Sequence, residues 1–186
     1  VSAETGLVFY PGGLVDHRAY VPLAARIARA GHPVAIVRMP LDLAVLGKGR
    51  GLAVPALLPG VGRWAIGGHS LGGAMAADLV HGRPGTFAAL VLLAAYPPDG
   101  ASIAATGLPV LSIAGTRDGV VDRENLDGSR ALLPPTARFV ALEGGNHAQF
   151  GDYGPQKGDG VATIGREEQL DAAAAEIVRL LEALGR

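Results

Sequence analysis

Ser70 is the side chain of this sequence that is best placed for nucleophilic chemistry. It lies in the stretch GGHSLGGA, with Gly68 and Gly72 two residues to either side. An apolar run precedes the stretch and a helical pattern follows it, so a strand must pass into a helix with almost no loop. A turn this sharp forces its apex residue toward positive φ, and a Cβ at either glycine would collide as strand and helix crowd together. The sequence therefore predicts a strained turn that lifts the Ser70 hydroxyl clear of the sheet.

A serine hydroxyl is a poor nucleophile until a base removes its proton, and two later side chains could complete the chemistry. Asp118 follows an apolar run over residues 108–115, and His147 follows another over residues 137–144. A neutral imidazole can accept the serine proton near pH 7, and a carboxylate fixes its tautomer and stabilises the imidazolium. Both residues come directly after strands, at the edge where open α/β sheets build their sites. Asp122 is the alternative acid, but it lies further past the strand.

The elements that must position these residues alternate between short apolar runs and helical patterns. This alternation is typical of an α/β fold with a mostly parallel sheet and helices on both faces. Strands are predicted over residues 6–10, 33–39, 63–68, 87–95, 108–115 and 137–144. Helices are expected over residues 16–31, 71–82, 123–133 and 166–184, whereas residues 42–61 allow at best a short one. No repeat or linker interrupts the pattern, so we expect one domain over residues 1–186.

These features resemble those of the α/β-hydrolase superfamily. The match rests on the G-x-S-x-G stretch around Ser70, and the superfamily's chain order of serine, acid and histidine assigns Ser70, Asp118 and His147 as the catalytic triad. More narrowly, the sequence is similar to short bacterial α/β hydrolases that carry FYPGG early, GGHSLGG in the middle and GGNHAQFGDYGPQKGDG late. The resemblance covers nearly the whole chain. It implies a minimal fold of about six strands, without the first antiparallel strands of larger relatives and without their cap domain.

The resemblance also implies an oxyanion hole that would hold the negative charge of a tetrahedral intermediate. The Leu71 N–H opens a helix, where negative charge is favoured, and a second N–H is expected from the loop after the first strand. Relatives carry a His-Gly type motif in that loop, whereas this sequence has Pro11 in place of the histidine. We expect the Gly13 N–H to be the second donor, with Leu14 as the alternative.

A polar, glycine-rich stretch over residues 146–165 surrounds the predicted base, and its role stays open between two interpretations. It could shape the substrate pocket, or it could be a structural loop held by its own polar contacts. Asp152 and Asp159 in this stretch lack regular ligand spacing, so we predict no metal site. His69, next to the nucleophile, is expected to pack beside the turn.

Composition limits the partners of the chain. Its 186 residues are 49% hydrophobic, and 16 Lys and Arg against 17 Asp and Glu leave a net charge of −1. Because we find no basic stripe, no nucleic-acid partner is expected. The absence of cysteine excludes disulfides and a cysteine nucleophile. No apolar run approaches the roughly 18 residues of a membrane span. The sequence starts at Val1 rather than Met, and many relatives carry an apolar anchor upstream, so a membrane-anchored or extracytoplasmic location stays open.

Together these features predict a serine hydrolase without cofactor or metal that cleaves small, short-chain carboxylic esters through an acyl-enzyme intermediate. A lactonase, a thioesterase or an acyltransferase would use the same residues. A non-catalytic binding protein on a hydrolase scaffold is the alternative from a different class. The short connection over residues 96–107 is too small for a mobile lid, which favours an open cleft and soluble substrates.

Overall fold

Six parallel strands form one sheet in the computed structural model of the protein, which describes residues 3–185. The strands are β1 (Ala3–Tyr10), β2 (Val34–Ile36), β3 (Val61–His69), β4 (Leu90–Leu93), β5 (Val110–Gly115) and β6 (Arg138–Leu142). Their order across the sheet is β2-β1-β3-β4-β5-β6, and each neighbouring pair runs parallel. The predicted sheet of about six mostly parallel strands is confirmed. Residues 1, 2 and 186 of the expected domain lie outside the described residues.

Helices cover both faces of this sheet. The α-helices are α1 (Val21–Arg29), α2 (Val54–Leu57), α3 (Leu71–Gly82), α4 (Arg123–Gly128) and α5 (Arg166–Leu184). Short 3₁₀ helices lie at His17–Tyr20, Pro40–Asp42, Ala44–Leu46, Lys48–Ala53, Ser129–Leu132 and Ala148–Phe150. The helices predicted over residues 71–82 and 166–184 have those bounds in the structure.

Side chains along β1 point alternately to the two faces of the sheet, where they join two separate layers of the core. Leu7 and Phe9 point to one face and Val8 and Tyr10 to the other, and all four are at most 1% exposed. The first layer contains apolar residues of α1 and α5, among them Leu23, Ile27, Leu170, Ile177 and Leu181. The second contains residues of α3 and of the segment before β3, among them Ala76, Ala77, Val80, Met39 and Val54. The strands that carry the candidate site are therefore held from both sides.

The strand predicted over residues 87–95 is longer than the one observed. Only Leu90–Leu93 pairs as β4, although the flanking Phe87, Ala89 and Ala95 are buried as well. Ala94 has a φ of 45°, which turns the chain out of the strand directly after Leu93. The continuous apolar run over residues 87–95 therefore indicates which residues are buried, and not how long the strand is. The helix predicted over residues 123–133 likewise ends as α4 at Gly128 and continues only as a 3₁₀ helix.

The connection between β4 and β5 contains no helix or strand over residues 94–109. Larger members of the superfamily that the sequence resembles insert a cap at this place. The expected absence of a cap domain is confirmed for the part of the chain that the structure describes.

The end of β1 and the start of α3 approach each other closely at the turn that follows β3. A Cβ on Gly72 would lie 2.3 Å from the carbonyl oxygens of both Tyr10 and Pro11. A Cβ on Gly68 would lie 2.6 Å from the Tyr10 oxygen. These are backbone atoms and cannot rotate aside, so a side chain at either position would push β1 away from α3.

Gly72→Ala should destabilise the protein by about 3 kcal/mol, because the added methyl group collides with backbone at a packed position. Gly82→Ala is the matched control in the same helix, since its Cβ would meet nothing within 4 Å. That variant should be neutral or gain up to about 1 kcal/mol through a less flexible unfolded chain. Urea unfolding followed by circular dichroism measures both changes, and equal stability of the two variants would contradict the packing described here.

Candidate active site

Ser70 occupies the tight turn between β3 and α3. Its φ of 53° and ψ of −124° place a non-glycine residue in a region that side chains rarely adopt. The turn is held by the Ser70 N–H, which donates to the Leu93 carbonyl at 2.9 Å, and by the Ser70 carbonyl, which accepts from the Ala74 N–H at 3.1 Å. The hydroxyl does not cap α3 and has no hydrogen-bond partner among the described residues. The backbone fixes this side chain while its oxygen stays free.

Asp118 and His147 meet at the carboxyl ends of β5 and β6. Asp118 Oδ2 lies 2.8 Å from His147 Nδ1, and the two side chains are 0% and 2% exposed. The other carboxylate oxygen, Oδ1, accepts the N–H groups of Val120 and Val121, each at 2.9 Å. Both oxygens of the acid are thus engaged, and its orientation toward the imidazole is fixed.

The surroundings of Asp118 keep it ionised. Burial raises the pKa of this carboxyl, but the hydrogen bond and charge of His147 and the two N–H groups outweigh it, so the pKa lies below its ordinary value. A carboxylate can only accept, so His147 must carry a proton on Nδ1. In the neutral imidazole Nε2 is then the acceptor. This nitrogen is buried and has no hydrogen-bond partner among the described residues.

Ser70 and His147 line one cleft of about 430 Å³. No hydrogen bond joins Ser70 Oγ to His147 Nε2 in the described part of the chain. Such contacts are commonly long in ligand-free enzymes and tighten when substrate binds. Other walls of the cleft come from the start of α3, the connection after β4 and the segment after Asp118, with Leu71, Ala74, Met75, Ala94, Ala95, Tyr96, Pro98, Val120, Val121 and Asp122. The nucleophile and the base that the sequence predicts thus open onto the same cavity.

Backbone from two elements lies close together next to Ser70: the start of α3 and the turn that follows β1. Leu71 is the first residue of α3. Gly13 lies next to the Leu71 side chain, since a Cβ added to Gly13 would be 3.1 Å from Leu71 Cδ2. The N–H of Gly12 donates to Tyr20 Oη at 2.9 Å, and that of Leu14 donates to the Asp42 carbonyl at 2.8 Å. Of the two positions that the sequence left open, Leu14 already has a partner, whereas the Gly13 N–H has none among the described residues.

Asp122, the alternative acid, has a different role in the structure. It is the N-cap of α4, and its Oδ1 accepts the Asn125 N–H at 2.9 Å. It borders the cleft, but its recorded hydrogen bond goes to this helix rather than to His147. Capping of this kind stabilises a helix end and leaves little freedom to follow an imidazole.

His69 packs against the His147 ring, with ring centroids 4.4 Å apart and ring planes tilted by 49°. It is 1% exposed, and Tyr20 Oη lies 2.8 Å from its Nδ1. Burial, followed by the nearby charge of His147, lowers the pKa of His69 well below its ordinary value. Because Tyr20 Oη also accepts the Gly12 N–H, its own proton is available to His69, and the three groups form a buried chain.

Sequence reasoning placed His69 beside the turn but missed Tyr20. The two residues are 49 positions apart, and Tyr20 lies within the segment over residues 16–31, which was predicted only as a helix. No local pattern marks this contact. Through Tyr20, the loop that carries Gly13 is connected by hydrogen bonds to His69, whose ring contacts His147.

The parallel sheet, the turn at Ser70 and the buried Asp118–His147 pair together define an α/β protein of the hydrolase type. A model of the alpha/beta hydrolase family matches residues 6–171, and the chain therefore belongs to that family. A search of curated proteins finds no match to the sequence.

Solved structures of hydrolases share the fold. A chain from the metagenome-derived lipolytic enzymes LipS and LipT superposes with a TM-score of 0.70 at 18% identity, covering 97% of this chain and 95% of that one. Dienelactone hydrolase from Anabaena variabilis gives 0.70 at 19% identity, covering 97% and 87%. The esterase domain of a Rhodothermus marinus protein gives 0.68 at 11% identity, covering 94% and 85%. At these identities the likeness shows the fold.

Two further features concern the described residues only. None of their helices combines the length and the apolar character that crossing a membrane requires. No group of three or more His, Asp or Glu side chains within residues 3–185 is arranged to hold a metal ion.

Proposed function

We propose that the protein is a serine hydrolase that cleaves carboxylic esters through an acyl-enzyme intermediate. The observation that carries this proposal is the buried His147, whose Nδ1 is hydrogen-bonded to Asp118 at 2.8 Å while Nε2 has no hydrogen-bond partner within residues 3–185. An unpaired acceptor nitrogen on a histidine that lines the same cleft as a free serine hydroxyl suits general-base activation of that serine. A binding protein on this scaffold would have no need of it.

The first half of the reaction forms the acyl-enzyme. Ser70 Oγ attacks the ester carbonyl carbon while His147 Nε2 takes the hydroxyl proton, and Asp118 stabilises the resulting imidazolium. The carbonyl oxygen becomes an anion and accepts the N–H groups of Leu71 and Gly13. The carbon–oxygen bond to the alcohol then breaks, and the alcohol leaves with the proton that His147 returns.

The second half releases the acid. Water takes the place of the alcohol, gives a proton to His147 Nε2 and attacks the acyl carbon. The bond to Ser70 Oγ breaks, and the proton returns to the serine. No step needs a cofactor, and the same residues would open a lactone or cleave a thioester. A substrate panel with oxygen esters, lactones and thioesters therefore decides among these reactions.

The shape of the cleft supports small, soluble substrates. Its volume is about 430 Å³, and its walls are mostly apolar, with Leu71, Met75 and Tyr96 as the largest apolar side chains among them. The connection over residues 94–109 has no helix that could close over Ser70. We infer an open site that contacts a short acyl or alcohol group and leaves a longer chain in solvent.

Ser70→Ala should lower kcat on a short-chain ester by a factor on the order of 10⁴–10⁶ while the protein stays folded, since the three side chains act as a unit. A fluorophosphonate probe should label the wild-type protein once, at Ser70, and should not label the variant. Peptide mapping by mass spectrometry locates the adduct. A wild-type adduct on Ser102, Ser112 or Ser129, or a Ser70→Ala variant with full activity, would refute the proposal.

Asp118→Asn should lose about 10⁴ in kcat, because an amide favours the wrong imidazole tautomer. Asp122→Asn is the matched control, since asparagine caps a helix about as well as aspartate and should leave kcat near wild type. Steady-state kinetics on both variants compares them. A reversed order of the two effects would assign the acid to Asp122 instead.

Short-chain esters should be preferred over long-chain ones. Each additional buried CH₂ is worth only about 0.8 kcal/mol, and an open cleft buries few of them. A series of p-nitrophenyl esters should show kcat/KM that stops rising after the shortest members, without a jump in rate above the solubility limit. A steady rise to long chains, or a jump at that limit, would indicate a lid or a tunnel.

A further inference from the structure

The carboxylate of Asp159 gathers backbone N–H groups from the two loops that carry the proposed acid and base. Its Oδ1 accepts from His147 at 3.2 Å, from Gly119 at 3.1 Å and from Gly160 at 2.8 Å. Its Oδ2 accepts from Ala148 at 2.8 Å. Four N–H groups thus converge on one side chain, and one of them belongs to the proposed base itself.

The Asp159 segment also lies directly on the loop that carries Asp118, with no side chain between them. A Cβ on Gly160 would lie 1.9 Å from the Arg117 carbonyl oxygen. A Cβ on Gly119 would lie 2.6 Å from the Gly158 carbonyl oxygen. Glycine at these two positions allows the backbones to touch, and this contact brings the Asp159 carboxylate within reach of both loops.

Asn146 anchors the same segment to the body of the protein. Its Nδ2 donates to the Gly160 carbonyl at 2.8 Å, and its backbone exchanges hydrogen bonds with Gln169 of α5 at 3.0 and 2.7 Å. Gln169 is fully buried. The histidine loop, the acid loop and α5 are therefore joined through polar contacts that Asp159 and Asn146 make.

We propose that Asp159 is a positioning residue for the reaction, which fixes the separation and angle between His147 and Asp118. This inference rests on the proposed serine-hydrolase function. Hydrogen bonds to an ionised acceptor are stronger than neutral ones, so the carboxylate restrains both loops more firmly than an amide would. The restraint matters because displacement of a reacting group by about 1 Å can cost on the order of 10² in rate.

The test compares Asp159→Asn with the wild-type protein, with rates expressed per site titrated by a fluorophosphonate probe. The amide oxygen can accept, but the amide nitrogen faces N–H donors, so the cluster loses part of its bonds. We expect kcat to fall by about 10- to 100-fold with little change in KM. The low-field proton resonance of His147 Nδ1–H should also shift or broaden, which reports on its bond to Asp118.

Asp152→Asn is the matched control on the same loop. Asp152 is exposed and pairs with Arg166, and exposed ion pairs of this kind contribute little. This variant should keep the wild-type kcat and the wild-type resonance. Asp159→Glu restores the charge and should recover part of the loss in kcat.

A wild-type kcat per titrated site in Asp159→Asn, with an unchanged resonance, would overturn the inference. If Asp159→Asn does not fold, Asp159→Glu decides the question, because its carboxylate is displaced by one methylene and should lower kcat and move the resonance. A Glu variant identical to the wild type would then overturn it. Failure of the proposed function is a separate result, since the wild-type protein itself would not be labelled at Ser70.

Discussion

The site depends on the close approach of three backbone segments: the end of β1, the end of β3 and the start of α3. Tyr10 and Pro11 at the end of β1 leave no space for a side chain at Gly72, whose Cβ would lie 2.3 Å from their oxygens. Ser70 is held there with a φ of 53°, and such conformations persist only where the surrounding structure determines them. The same contact places the Gly13 turn, which follows β1, beside Leu71. One packing arrangement thus determines the direction of Ser70, the proposed nucleophile, and the position of both proposed oxyanion donors.

Charges around His147 are arranged so that the proton it would gain in the proposed reaction is stabilised. Asp118 is ionised because its hydrogen bonds outweigh its burial, and it contacts Nδ1 directly. The His69 ring lies 4.4 Å from the His147 ring, and burial keeps the pKa of His69 low, so it stays neutral and does not repel an imidazolium. Asp159 holds the His147 backbone from a third direction. The imidazole is thus restrained through its nitrogen, its face and its main chain.

Features that depend on local sequence were predictable, whereas contacts between distant segments were not. The glycines around Ser70 predicted the turn, and the helical pattern of apolar residues predicted the observed bounds of α3 and α5. The apolar run over residues 87–95 predicted too long a strand, because buried residues continue beyond those that pair in the sheet. That Asp118 and His147 meet could be predicted because both follow strands at one sheet edge. The contacts of Tyr20 and Asp159 could not be predicted, since their partners lie at separations that no spacing in the sequence indicates. The hydrogen bonds of Asp159 support the interpretation of residues 146–165 as a loop held by its own polar contacts.

A crystal structure of the protein phosphonylated with a short-alkyl fluorophosphonate tests the central claim most directly, because the adduct is tetrahedral like the intermediate. The account predicts a single adduct on Ser70 Oγ. Its phosphonyl oxygen should lie about 2.7–3.1 Å from both the Gly13 and the Leu71 nitrogens. His147 Nε2 should lie within hydrogen-bond distance of Ser70 Oγ, with the bond to Asp118 intact. A phosphonyl oxygen turned into solvent, or an adduct on another residue, would contradict the account.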